Sequence, residues 1–241
     1  MGSAEGRGVR RQALQRLWSY LVEPDSFGLV LLLILGTMVT MATTGSDPQG
    51  RLAALAVAGA TLLYTLFTCR VRAGAQRAAW LLVGASLVLS TLAWRAGTEA
   101  VAEASAVAVS ALLVVATTPA IAQRVLRRPV VDAPTVSGAL CIYLLLGLFF
   151  AYVFGLVNLV QEGTFFTAAG EEELVDFLYF SLVTLTTTGY GDLAARTALG
   201  RMLAATEALT GQVYLVTVVA VLVGNIGRAR PERRGPEGRT G

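Results

Sequence analysis

The segment from Thr186 to Asp192 reads TTTGYGD and lies between two apolar segments, residues 174–185 and 199–226. Its glycines and threonines disfavour a helix, because glycine loses much backbone entropy on ordering and threonine loses side-chain freedom. Non-helical backbone at membrane depth persists only where protein buries it or where it lines a watery path. The segment therefore predicts either a tight glycine turn between two membrane helices or a loop whose carbonyl oxygens replace the water around a cation.

The composition places the chain in a bilayer. Of its 241 residues, 55% are hydrophobic and 15% charged, and the mean hydropathy is +0.64. The net charge of +3 comes from arginines at the ends of apolar segments, which membrane topology explains better than nucleic-acid binding. The sequence contains no histidine, the commonest general base, and no nucleophile–base set. We expect neither an enzyme nor a nucleic-acid partner.

Six segments are apolar over the length that a membrane-spanning helix needs, about 20 residues. They are residues 27–44, 52–69, 78–95, 101–122, 137–160 and 200–226. The run 174–185 is too short to span and predicts a re-entrant helix. The predicted fold is an all-α membrane protein with six transmembrane helices, and with a re-entrant helix and loop between the fifth and the sixth.

Arginine placement predicts the orientation, because cytoplasmic loops carry an excess of basic residues. If the N-terminus is cytoplasmic, the only arginines outside are Arg51, Arg95, Arg196 and Arg201. We therefore expect a protein of the plasma membrane with both termini in the cytoplasm. The loop after the fifth helix then faces outward, as an acidic vestibule that concentrates cations or as an ordinary solvated charge run. Its acidic residues are Glu162, Glu171, Glu172, Glu173 and Asp176.

The residues TTGYGD resemble the selectivity filter of tetrameric potassium channels, which usually reads TVGYG followed by Asp. Thr188 replaces the usual valine and adds a hydroxyl. The resemblance implies that K⁺ ions are conducted and that no organic cofactor is needed. The implied K⁺ ligands are Thr187, Thr188, Gly189 and Tyr190, with Gly191 closing the outer end. A ring of carbonyls needs several loops, so one loop per chain implies an oligomer, by resemblance a homotetramer.

Several residues around this loop are candidates for supporting it. By resemblance, Tyr179 and Phe180 form an aromatic collar, although lipid-interface anchoring is the alternative. Asp192 is expected to brace the filter from behind by hydrogen bonding. Glu207 is an ionisable group within a membrane helix, and it is expected to bond the hydroxyl of Ser181 or Thr184 or a neighbouring subunit's backbone.

The last helix carries the candidates for gating. Gly211 stands where relatives often have a hinge glycine, and tight packing through a small residue is the alternative. On the same alignment Gln212, Leu215, Val219 and Val223 are predicted to line the inner cavity.

The chain divides into five predicted parts. They are a cytoplasmic or interfacial segment 1–26, a four-helix domain 27–122, a cytoplasmic linker 123–136, a pore domain 137–227 and a short cytoplasmic tail 228–241. The four-helix domain resembles a voltage sensor, but residues 101–122 contain no arginine to move in the membrane field. We expect a potassium channel without the usual voltage gating. Its expected partners are the lipid bilayer and a separate regulatory subunit. The alternatives are a weakly selective cation channel, a potassium-transporter subunit and a non-conducting membrane subunit.

Overall fold

The computed structural model describes residues 27–43, 48–69, 71–126, 133–161, 163–167, 170 and 172–226. The predicted N-terminal segment, residues 127–132 of the linker and the tail lie outside these residues. The described part forms helices α1 (Gly28–Thr43), α2 (Pro48–Thr68), α3 (Ala73–Arg95), α4 (Glu99–Leu126), α5 (Ala133–Val160), α6 (Leu174–Leu185) and α7 (Ala198–Ile226).

Four of the described helices are long and apolar enough to cross a membrane. The crossing segments are Ala73–Ala93, Ala104–Val125, Pro134–Val160 and Ala198–Val221. Helix α1 has 16 residues, and the apolar part of α2 is Ala56–Thr68, so both are shorter than the usual span. An all-helical membrane protein is therefore confirmed, whereas the first two of the six predicted crossings stay predictions.

Helices α4 and α5 extend beyond their predicted bounds of 101–122 and 137–160. Helix α4 continues to Leu126 and α5 begins at Ala133, so both reach into the predicted linker. Pro134 stands in the first turn of α5, where its missing N–H has no partner within the helix in any case. Pro48 begins α2 for the same reason. Proline at these positions starts a helix and does not break it.

Helix α5 is the centre of the packing, in contact with α1, α4, α6 and α7. The predicted four-helix domain, α1 to α4, is called the front domain below. Within it, α2 packs against α1, α3 and α4. Among the described helices, α7 contacts only α5 and α6, so it makes no contact with the front domain.

A cluster of buried aromatic rings joins the carboxyl-terminal part of α5 to α6. Phe165, in the loop between them, has its ring centroid 5.4 Å from that of Phe154 and 5.5 Å from that of Phe177. The same loop pairs with the chain after the segment 186–192, because Thr167 N–H donates to the Ala194 carbonyl and Arg196 N–H to the Phe165 carbonyl. Both ends of the segment 186–192 are thus held to one packed unit.

Candidate functional site

The TTTGYGD segment begins where α6 ends. Thr186 closes the helix, and the carbonyl of Val183 accepts the N–H groups of Thr188 at 2.9 Å and Gly189 at 3.3 Å. These bonds use a carbonyl that would otherwise be left unpaired at the helix end. They attach the non-helical segment directly to the last turn of α6.

Left-handed backbone recurs at every second residue of this segment. The φ angles are +57° at Thr187, +57° at Gly189 and +80° at Gly191. Glycine adopts such angles freely, but a β-branched residue at positive φ is a true outlier that costs about 1–3 kcal/mol and is typical of functional sites. Alternating handedness turns successive peptide planes so that neighbouring carbonyls, which point to opposite sides in an ordinary strand, can point to the same side. The sequence predicted the alternating backbone from the glycines and missed the left-handed Thr187.

The hydroxyl that distinguishes Thr188 from the usual valine is paired. Its Oγ1 lies 2.9 Å from Oγ1 of Thr186. The Thr186 hydroxyl donates its own hydrogen to the Leu182 carbonyl at 2.7 Å, so Thr188 is the donor in this pair. The threonine side chain thus bonds back towards α6.

Tyr179 and Asp192 connect α6 to the end of the segment. The Tyr179 hydroxyl donates to Asp192 Oδ2 at 2.7 Å. This bond lowers the pKa of the Asp192 carboxyl below its ordinary value and raises the pKa of Tyr179. Phe180, the other residue of the predicted collar, is buried instead in the aromatic cluster, 5.2 Å from the ring of Phe154.

Glu207 is fully buried within its own chain and is bonded to Ser181. Ser181 is one of the partners that the sequence predicted. The Ser181 hydroxyl also lies 2.7 Å from the carbonyl of Gly147 on α5. Helices α5, α6 and α7 therefore meet at one polar contact.

Gly211 touches the backbone at the end of α6. A Cβ added there would lie 2.5 Å from the Leu185 carbonyl oxygen, which is a steric overlap. Helix α7 runs unbroken through Gly211, so the structure places this glycine in a close contact. The Leu185 carbonyl also accepts a hydrogen bond from Tyr143 of α5 at 3.1 Å, a contact that no sequence signal indicated.

The predicted cavity residues follow Gly211 along α7. Gln212 Nε2 donates to Thr187 Oγ1 at 3.1 Å, and this bond joins α7 to the segment itself. Leu215 and Val219 are exposed in the single chain. The side chain of Val223 lies outside the described part.

The acidic residues before α6 have structural partners. Glu172 accepts the N–H groups of Phe165 at 2.9 Å and Phe166 at 2.6 Å. Glu173 N–H donates to Asp176 Oδ2 at 2.9 Å, which caps the start of α6. Neither predicted reading of this acidic run anticipated such bonds. Glu162 and Glu171 lie outside the described residues.

Residues 138–227 match a protein-family model described as an ion channel. The match begins in α5 and ends just after α7, so it contains α6, the TTTGYGD segment and the contacts above. A search of curated proteins found no match. Together with the four spanning helices, the family match supports a membrane protein that is an ion channel.

Replacing Gly211 by alanine is expected to force α7 away from α6. Overpacking of this kind costs about 1–3 kcal/mol, and here the opposing atom is a backbone oxygen that cannot rotate away. Thermal unfolding of the purified protein in detergent measures the effect. Gly36→Ala is the control, because a Cβ at Gly36 has nothing within 4 Å. Equal melting temperatures for the two variants would contradict the close contact.

Replacing Tyr179 by phenylalanine is expected to raise the pKa of Asp192 towards its ordinary value, since the hydroxyl is the main cause of the lowering. A lowered pKa means that the bond stabilises the folded loop above the ordinary pKa and is lost as the pH falls through the lowered one. A ¹³C NMR titration of labelled Asp192 measures the shift. Tyr64→Phe, in α2, is the control. Identical Asp192 titrations in wild type and Tyr179→Phe would refute the assignment.

Proposed function

We propose that this chain forms a homotetrameric, potassium-selective channel, with Thr187 to Gly191 of each subunit surrounding a central pore. One observation carries the proposal: left-handed backbone at Thr187, Gly189 and Gly191, within the sequence TTGYGD. A turn that merely reverses the chain has no need of left-handed backbone at three alternate positions. A column of ion sites formed by backbone carbonyls does need it.

In the proposed pore, K⁺ exchanges its water shell for carbonyl oxygens of Thr187, Thr188, Gly189 and Tyr190. The Thr187 hydroxyl contributes to the innermost site, where Gln212 holds it in place. The carboxyl end of α6 carries partial negative charge and favours a cation beside it. Asp192 acts as a brace at the outer end and not as an ion ligand. The chemistry is passive conduction, without a catalytic step or an organic cofactor.

The need for several subunits follows from the single filter segment and from the surface of α7. Only 11% of the spanning window of α7 is buried within the chain, against 56% for that of α5. Leu209, Val213 and Val216 are each more than 60% exposed. Association around an axis covers this surface, and four copies give the ring that the resemblance implies.

The front domain is proposed to support the pore without sensing voltage. Helix α4 has no arginine before Arg124, whose guanidinium is bonded to the Thr68 carbonyl at the end of α2 at 2.7 Å. A charge held at a helix end crosses little of the membrane field. We further propose a plasma-membrane location with both termini cytoplasmic, and gating by another stimulus, directly or through a separate subunit.

Purified protein in potassium-loaded vesicles is expected to pass K⁺, to be blocked by Ba²⁺ and to exclude Na⁺. Gly189→Ala is expected to abolish the flux, because a left-handed alanine costs about 1–2 kcal/mol in each subunit. Gly36→Ala is the control. Equal K⁺ and Na⁺ reversal potentials would favour a weakly selective channel. The absence of any flux would favour a transporter or non-conducting subunit.

Single-channel recording in planar bilayers tests the role assigned to α4. Open probability is expected to change little with voltage, because each charge moved across 100 mV contributes about 2.3 kcal/mol and the spanning part of α4 supplies none from arginine. Steep, time-dependent opening on depolarisation would contradict this assignment.

A further inference from the structure

The first inference concerns a groove at the end of the front domain where α2 finishes and α3 begins. Its volume is about 500 Å³. Arg72, Gln123 and Arg124 contribute polar groups to its lining, and Val71, Ala116 and Pro119 contribute apolar groups. The lining therefore combines cationic and apolar side chains.

The two arginines of the lining come from different parts of the chain. Arg124, on the last turn of α4, is fixed by its bond to the Thr68 carbonyl. Arg72 is exposed in the turn before α3. The acidic side chains that the structure describes all lie within residues 172–207. None of them lines the groove. The groove is positively charged in its described part.

The position of the groove relative to the membrane indicates which kind of ligand it suits. The spanning segment of α4 ends at Val125, so the groove lies at a membrane–water boundary. This boundary is the arginine-rich, proposed cytoplasmic side, where lipid headgroups are anionic. Guanidinium groups suit phosphate oxygens, and the apolar lining residues suit the start of an acyl chain. We propose that this groove binds the phosphate headgroup of an anionic phospholipid.

The experiment is native mass spectrometry of the full-length protein, purified with equal phosphatidylglycerol and phosphatidylcholine. Wild type is expected to retain phosphatidylglycerol selectively, and Arg72→Ala to weaken its retention about fivefold. Arg77→Ala is the matched control, because Arg77 is an exposed arginine of α3 that does not line the groove.

Equal retention by wild type and Arg72→Ala, or no preference over phosphatidylcholine, would overturn the proposal. Radiolabelled inorganic phosphate tests the other source of the same chemistry. If it binds as tightly as phosphatidylglycerol, the ligand is a free anion and the lipid assignment is wrong. The proposal rests on the proposed orientation, but lipid retention does not require conduction. A failure of either proposal is therefore recognisable on its own.

A second inference follows independently from counting hydrogens where α5, α6 and α7 meet. The Ser181 hydroxyl has one hydrogen and lies within bonding distance of two acceptors, the Gly147 carbonyl and Glu207 Oε1. It can donate to only one of them. If it donates to Gly147, the remaining contact needs a hydrogen on Glu207.

The surroundings of Glu207 lead to the same conclusion. Its side chain is fully buried, and Oε2 has no hydrogen-bond partner among the residues that the structure describes. The Tyr143 hydroxyl donates its hydrogen to the Leu185 carbonyl, so that hydrogen is not available to Glu207. An ionised carboxylate buried without a cation or sufficient donors is strongly disfavoured. We infer that Glu207 carries a proton and donates it to Ser181, so that a relay from Glu207 through Ser181 to Gly147 positions α6 and its filter segment.

Infrared difference spectroscopy on the full-length protein in vesicles at neutral pH tests this inference. Glu207→Gln is expected to remove the carbonyl stretch of a protonated carboxylic acid, and Glu173→Gln to remove only a carboxylate band. Ser181→Ala is expected to shift the Glu207 band, because the proton loses its acceptor.

Loss of a carboxylate band in Glu207→Gln would overturn the inference. If Glu207→Gln does not fold, the wild-type protein with ¹³C-labelled glutamate gives the same answer. A labelled spectrum without any protonated-acid band would be decisive against it. The spectrum reports protonation whether or not the protein conducts.

Discussion

Everything in the proposed pore depends on how α6 holds a strained backbone at its carboxyl end. Thr187 is β-branched and left-handed, a conformation that persists only if its surroundings impose it. The Val183 carbonyl binds the two N–H groups that follow Thr187, and Gln212 of α7 binds its hydroxyl. Contacts from α6 and α7 therefore hold a conformation that would relax in a free loop. Hydrogen bonds and close packing stabilise the segment, since it has no regular secondary structure of its own.

The supports lie at three positions along α6. Tyr179 binds Asp192 beyond the segment. Ser181 joins α5 to α7 through Gly147 and Glu207. At the carboxyl end of α6, the Leu185 carbonyl is bonded by Tyr143 and packed against Gly211. Helix α7 takes part at the second and third of these positions, so it is in direct contact with the helix that holds the segment.

Much of this arrangement follows from the sequence, and the exceptions have physical reasons. Apolar length predicted the helices and their order, and the glycines of TTTGYGD predicted a non-helical segment after α6. Because burying a carboxyl group without a partner costs free energy, the sequence predicted that Glu207 could pair with a hydroxyl of α6. Long-range contacts such as Tyr143 to Leu185 leave no local pattern, so they could not be predicted. The bonds of Glu172 to backbone N–H groups were missed for a different reason. A run of acidic residues is typical of a solvated surface, and the sequence does not show which backbone donors lie near it.

Thr187 is the most instructive of the exceptions. Threonine normally avoids left-handed backbone, so residue preferences argue against the conformation that the structure contains. Tertiary contacts override the preference at this one position. The hydroxyl that Thr188 has in place of a valine methyl group is likewise paired by a local contact, with the Thr186 hydroxyl. Neither point could be read from residue types alone.

The most direct test of the central claim is an experimental structure of the assembled protein soaked in thallium, whose anomalous scattering marks potassium sites. We predict a column of anomalous peaks on a four-fold axis, at the level of the carbonyls of Thr187 to Tyr190. An assembly without such peaks, or one in which these carbonyls face away from the axis, would contradict the account.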